Sequence, residues 1–135
     1  MKLTPLITQY FALYLAAHAA HQSITGATFF QDHAFLSELY EAYNDAFDDL
    51  AERAIGLGEA LNHASIFAEA AVQAKSLTGM KAPAMIFNAL MLREAAVRKV
   101  LAECCGEATE GTANLLAQLA DDSEKRAYKL KQRTS

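Results

Sequence analysis

Hydrophobic and polar positions recur along this chain with the period of an α-helix, nearly from end to end. Leu6, Tyr10, Leu13, Ala17, His21 and Ile24 fall three and four residues apart, on one face of a first helix. Thr4 and Pro5 stand ahead of that run: a hydroxyl able to cap the helix, then a proline suited to its first position. Gly26 is where the pattern stops. Thr28 and Gln31 then stand in capping-box relation. Behind them Phe29, His33, Leu36, Tyr40, Tyr43, Phe47, Leu50, Ala54 and Leu57 make a long amphipathic stripe, closed by Gly56 and Gly58. Residues 62–77 predict a shorter helix. Pro83 opens the next, which runs to Gly106, and a last helix starts near Thr109 and continues into the lysine-rich end. No stretch alternates with the two-residue period of a strand, and no segment repeats. The expected fold is all-α: a four-helix bundle in one domain, 1–135, with a short extra helix in the connection between the second and third long helices.

Composition agrees and narrows the function. Two prolines and six glycines in 135 residues leave long helices uninterrupted, and that length suits one core. A formal net charge of −4 gives no general attraction to nucleic acid or to anionic lipid. Cys104 and Cys105 are neighbours, which strains any disulfide between them, so a reducing, cytoplasmic setting is expected. The N-terminal apolar run is broken by Gln9 and followed by His18 and His21, too polar for a membrane span and a poor signal peptide. Lys125, Arg126, Lys129, Lys131 and Arg133 read as a solvated, dipole-compensating helix end, with a small basic anchor for nucleic acid as the alternative.

One face of the second helix is not core. His33, Ser37, Glu41, Asn44, Asp48 and Glu52 form a polar ribbon at spacings of four and three. Asp48 and Glu52 are four apart, so both carboxylates address one spot, where they repel unless a cation lies between them. An acidic helix face is often no more than solvated surface, and His18 and His63 are read as ordinary boundary residues. Distance sharpens the rest. His33 and Asp48 are separated by about 22 Å of helix at 1.5 Å per residue, whereas metal–ligand bonds are about 2.0–2.6 Å. They cannot meet on one ion within one chain. His21, in contrast, can reach His33 across the short turn. The chain therefore carries two half-sites, which a two-fold dimer pairing the second helices antiparallel would join twice over. A mixed histidine–carboxylate set suits iron(II), manganese or zinc.

These residues and spacings resemble the iron-site signature of the Dps proteins, the DNA-binding proteins from starved cells within the ferritin-like superfamily. In "HQSITGATFFQDH" the pattern is His21, Gly26, Phe29–Phe30 and His33; in "DDLAERAIGLG" it is Asp48, Glu52 and Arg53. The stretch "GTANLLAQLADDSEKRAYKL" is similar to the family's last helix, so the likeness spans most of the chain. It implies a ferritin-like bundle and a dodecameric cage with iron at two-fold interfaces, His21 and His33 coming from one chain and Asp48 and Glu52 from its partner. It further implies oxidation of Fe(II) by hydrogen peroxide or oxygen and storage of ferric mineral, which protects against oxidative damage; zinc or manganese could substitute for iron. The chain has no Glu-x-x-His motif, so an iron site inside the bundle is not expected.

Four departures qualify the resemblance. The family's usual aspartate four residues after the second histidine is Ser37 here, a poor ligand, so a second iron position is weaker or draws on Glu38 or Glu41. The usual tryptophan after the first histidine is Gln22. Only Lys2 stands where a basic DNA-binding tail is common, and the chain is short. A shell of negative chains repels phosphate, so DNA binding is expected to be weak or absent. The alternative is a ferritin-like structural or interaction protein, or a DNA-binding one, with a degenerate metal site. Glu103, Glu107 and Glu110, at the turn before the last helix, are a candidate pore lining.

Overall fold

The computed structural model describes residues 1–135. It contains five helices and no strand: α1 (Thr4–Ser23), α2 (Phe29–Gly56), α3 (His63–Thr78), α4 (Pro83–Cys105) and α5 (Glu110–Thr134). α1 packs along α2, α4 packs along α5, and α3 lies against α1 in the connection between the two pairs. This is the expected bundle with its short extra helix.

α1 is apolar almost all round, and that fits its place: Leu6, Ile7, Tyr10, Leu13, Ala16 and Ala20 are buried on several of its faces, against α2, α3 and α4. α2 is half as demanding. Leu36, Tyr43, Leu50 and Ala54 of the anticipated stripe are buried, together with Leu39, Ala46 and Ala51. Phe29, His33, Tyr40 and Phe47 are only half-buried, and Leu57 is exposed, so the stripe drifts from the core onto the α1–α2 surface.

Three local expectations are corrected, each for a tertiary reason. Thr4 does not cap α1; Leu3 occupies the cap position and makes no side-chain cap bond. Instead the Glu59 carboxylate accepts from Leu3 N (2.7 Å) and Thr4 N (3.0 Å), and the Thr4 hydroxyl donates to it as well. The capping box at Thr28 and Gln31 does not form. Thr28 stands at the cap of α2, but its hydroxyl donates to Asp32 Oδ2 (2.6 Å) rather than accepting from the helix. The basic end of α5 is not simply solvated: Arg126 and Arg133 both turn inward onto buried carboxylates. α3 and α5 do have side-chain caps, Asn62 accepting from Ser65 N (3.0 Å) and Thr109 from Thr112 N (3.2 Å). Pro83 takes the first turn of α4. Gly26 and Gly58, past the ends of α1 and α2, have φ of 121° and 90°, which a side chain would strain.

Candidate metal centre

The turn between α1 and α2 brings His21 and His33 into face-to-face contact, ring centroids 3.7 Å apart and 18° from parallel. Reciprocal bonds hold them there. His21 Nδ1 lies 2.8 Å from the His33 carbonyl oxygen and His33 Nδ1 lies 2.7 Å from that of His21. A carbonyl can only accept, so each Nδ1 carries a proton, and in the neutral imidazole that leaves the lone pair on Nε2. Fixing a ligand's tautomer through its other ring nitrogen is how proteins prepare imidazoles for metals. Ser37 Oγ sits 3.1 Å from His21 Nδ1 and accepts from the same N–H. Ser37 thus orients a histidine.

An aromatic wall backs the pair. Phe29 stacks on His33 at 4.9 Å, and Tyr40 meets His21 edge-on at 5.3 Å. His18 stacks on Tyr40 at 4.4 Å and lies 6.3 Å from His21, so it belongs to this wall. The wall continues through Tyr14 and Phe11 to Phe47 and to the exposed Phe67 of α3.

Asp48 and Glu52 lie farther along α2, both exposed, with neither in a hydrogen bond or ion pair of the chain. Arg53 turns to α5, donating to Thr112 Oγ1 (3.3 Å). Glu41 is exposed, and Glu38 is 4.0 Å from Lys129 Nζ across the α2–α5 groove. The structure therefore brings His21, His33 and Ser37 together and leaves Asp48, Glu52, Glu38 and Glu41 apart from them. No three His, Cys, Asp or Glu side chains of one chain converge on a point that could hold a metal.

A second polar cluster, inside the bundle, was missed by sequence reasoning. Glu94 is fully buried. Its carboxylate accepts from Tyr43 OH (2.8 Å), Ser123 Oγ (2.8 Å) and both Arg126 Nε and Nη2 (the latter 3.1 Å), while Arg98 donates to Ser123 Oγ at 3.0 Å. Arg126 also lies over the Tyr43 ring at 5.1 Å. Burial, reinforced by the negative Glu94, pushes the Tyr43 phenol well above its ordinary value. Burial works against the Arg126 charge, but the Glu94 carboxylate outweighs it and raises its pKa. The signal was present: Leu90, Glu94, Val97 and Leu101 share one helical face, as do Leu116, Leu119, Ser123, Arg126 and Leu130. Polar residues in step with an apolar stripe mark a buried pair.

The Ferritin-like domain family matches residues 2–134. A stretch of 46 residues is 44% identical to the DNA protection during starvation protein of Helicobacter pylori (strain J99 / ATCC 700824), covering 34% of this chain and about a third (32%) of that protein's length. Among solved structures, CAIP of Helicobacter cinaedi superposes with a TM-score of 0.76 at 27% identity, over 99% of this chain and all of that one. A Dps protein of Vibrio cholerae O1 has the same fold, with a TM-score of 0.70 at 22% identity, over 98% of this chain and 86% of that one. The chain belongs to the ferritin-like domain family. No helix is long and apolar enough to cross a membrane.

Proposed function

We propose that this single ferritin-like domain, 1–135, is the subunit of a Dps-like cage that oxidises Fe(II) at sites shared between two-fold-related chains and stores the ferric product. The observation that carries the reading is the reciprocal clamp on His21 and His33, which ties up both Nδ1 atoms and leaves both Nε2 atoms without a hydrogen-bond partner in the chain at the half-buried α1–α2 turn. Asp48 and Glu52, exposed and unpaired about 22 and 28 Å from His33 along the helix, supply anionic ligands to the ion at the partner's histidines. Iron-related function in the family, and the ferritin-like diiron-carboxylate superfamily to which the Vibrio protein is ascribed, support the choice of metal.

Fe(II) is the substrate. Two imidazoles and two carboxylates match a metal that takes mixed nitrogen and oxygen ligands, and the carboxylates offset its charge. Hydrogen peroxide takes two electrons, one from each of two ferrous ions, and with two protons leaves as water; oxygen is the alternative acceptor. His21 and His33 hold and orient the ion without exchanging protons, because each Nδ1–H is committed to a backbone carbonyl. Zinc and manganese are expected to compete for the same donors. The assembly is a dodecamer in a reducing, cytoplasmic compartment, consistent with the unlinked Cys104 and Cys105. DNA binding is not part of the reading: Arg126 and Arg133 are committed to carboxylates, and Lys125 to Asp121.

A second reading rests on Ser37, which orients His21 where a carboxylate would ligate. On it the site is degenerate and the cage is structural. Anaerobic Fe(II) loading followed by peroxide, read as ferric absorbance, separates the two. His33→Ala and Asp48→Ala homo-oligomers are expected to be inactive, and co-assembly of the two variants to recover about a quarter of wild-type rate, since mixed two-fold pairs keep one intact site of two. Equal rates in wild type and in a chain carrying both substitutions would establish the degenerate reading.

A further inference from the structure

The first turn of α2, just ahead of His33, lacks a side-chain cap. Thr28 is at the cap position and makes no bond to the helix amides, and an uncapped first turn frays because its N–H groups have no partners. Here something else holds it. Asp32, 2% exposed, accepts from Arg133 Nε and Nη2, both at 2.8 Å. Arg133 Nη2 also donates to Thr28 Oγ1 (2.9 Å), and Thr28 Oγ1 to Asp32 Oδ2 (2.6 Å). The guanidinium lies over the ring of the fully buried Phe87, 5.3 Å from its centroid, which in turn contacts Phe35 of α2.

We propose that Arg133 is a positioning residue for the histidine half-site, acting through Asp32 and Thr28. The inference rests on the reading of His21 and His33 as Fe(II) ligands. Thr28 and Asp32 are four residues apart, and so are Phe29 and His33, the stacked pair. The two pairs are consecutive on one turn, so the first cannot shift without carrying the second. Arg133 therefore sets, from the far end of the chain, how His33 meets His21. A bidentate fork on a buried carboxylate resists rotation, which a single ammonium contact does not.

The test uses the assembled protein and Co(II), whose visible absorption reports ligand geometry independently of turnover. Arg133→Ala is expected to weaken Co(II) binding about 10-fold, at the low end of what outer-shell partners of metal ligands contribute, and to shift the absorption bands. Arg133→Lys, which keeps the charge but not the fork, is expected to fall between and guards against a variant that fails to assemble. Leu119→Ala, a buried α5 position away from the clamp, serves as the control: it is expected to lower Tm and leave the spectrum unchanged. Wild-type affinity and bands in both Arg133 variants would overturn the proposal, as would Leu119→Ala shifting the bands equally. His33→Ala separates the two levels. Loss of Co(II) binding there upholds the site itself, whereas unchanged binding removes the site and this inference with it.

Discussion

The Glu94 cluster and the His21–His33 pair are both polar groups set among aromatic rings in one bundle, yet they are built to opposite ends. At Glu94 a buried carboxylate is surrounded by donors from α2 and α5, and its lone pairs are taken. At the turn, each imidazole has one nitrogen tied to backbone and the other free, at a half-buried surface. A closed cluster stabilises a fold or specifies its packing; an open one has capacity left for a ligand. In a bundle, then, the useful question about a buried acid or a surface histidine is how many of its atoms already have partners.

That contrast predicts where substitutions act. Glu94→Ala leaves Arg126 and Tyr43 without their acceptor and is expected to cost about 3–5 kcal/mol of unfolding free energy, read by urea denaturation. A Glu94→Leu, Arg126→Met pair removes both charges and is expected to lose much less. If the pair is as unstable as the single variant, the cluster is more than a self-contained ion pair. At the open site the sign of the experiment reverses. His21→Ala is expected to reduce Fe(II) affinity by more than the roughly 10–100-fold of an outer-shell change, with little effect on stability. A large loss of stability without loss of binding would show the histidines to be fold elements after all. Ser37→Asp sharpens the same point: a carboxylate there is expected to raise the number of Fe(II) ions bound per chain in an anaerobic titration, and an unchanged stoichiometry would mean that Ser37 does not limit the site.

The smallest effect lies outside both regions. Burial pushes the Glu59 carboxyl up, but the Thr4 hydroxyl and the Leu3 and Thr4 amides outweigh it and hold its pKa below the usual 4.5. A carboxyl lowered in the folded state contributes stability that is complete above the unfolded value and lost as pH falls through the folded one. Glu59→Gln is expected to cost about 1 kcal/mol at neutral pH, the size of a helix cap, and to flatten the acid limb of stability below pH 4.5. Parallel acid limbs in wild type and variant would show that Glu59 does not cap α1.

The helices were legible because their faces repeat, and the separation of His33 from Asp48 because fifteen residues of helix are a fixed length. What the pattern concealed was long-range. The hydroxyls of Thr4 and Thr28 carry the local sequence of caps, but carboxylates at positions 59 and 32 claimed them. Arg126 and Arg133 look like helix-end charges until Glu94 and Asp32 are seen opposite them. His18 gave no signal of its own, because only folding sets it flat against Tyr40. Except at Thr28, whose acceptor Asp32 is four residues along the same helix, the deciding partner lies on another element.

The carboxylate that closes the start of α1 lies 56 residues downstream of Leu3. At ordinary rates of synthesis that is about 3–11 s of elongation. The start of α1 therefore stays unsecured until α2 has been made and has turned back along it. The two must settle together, and an early stop anywhere before Glu59 leaves α1 with its opening amides facing water.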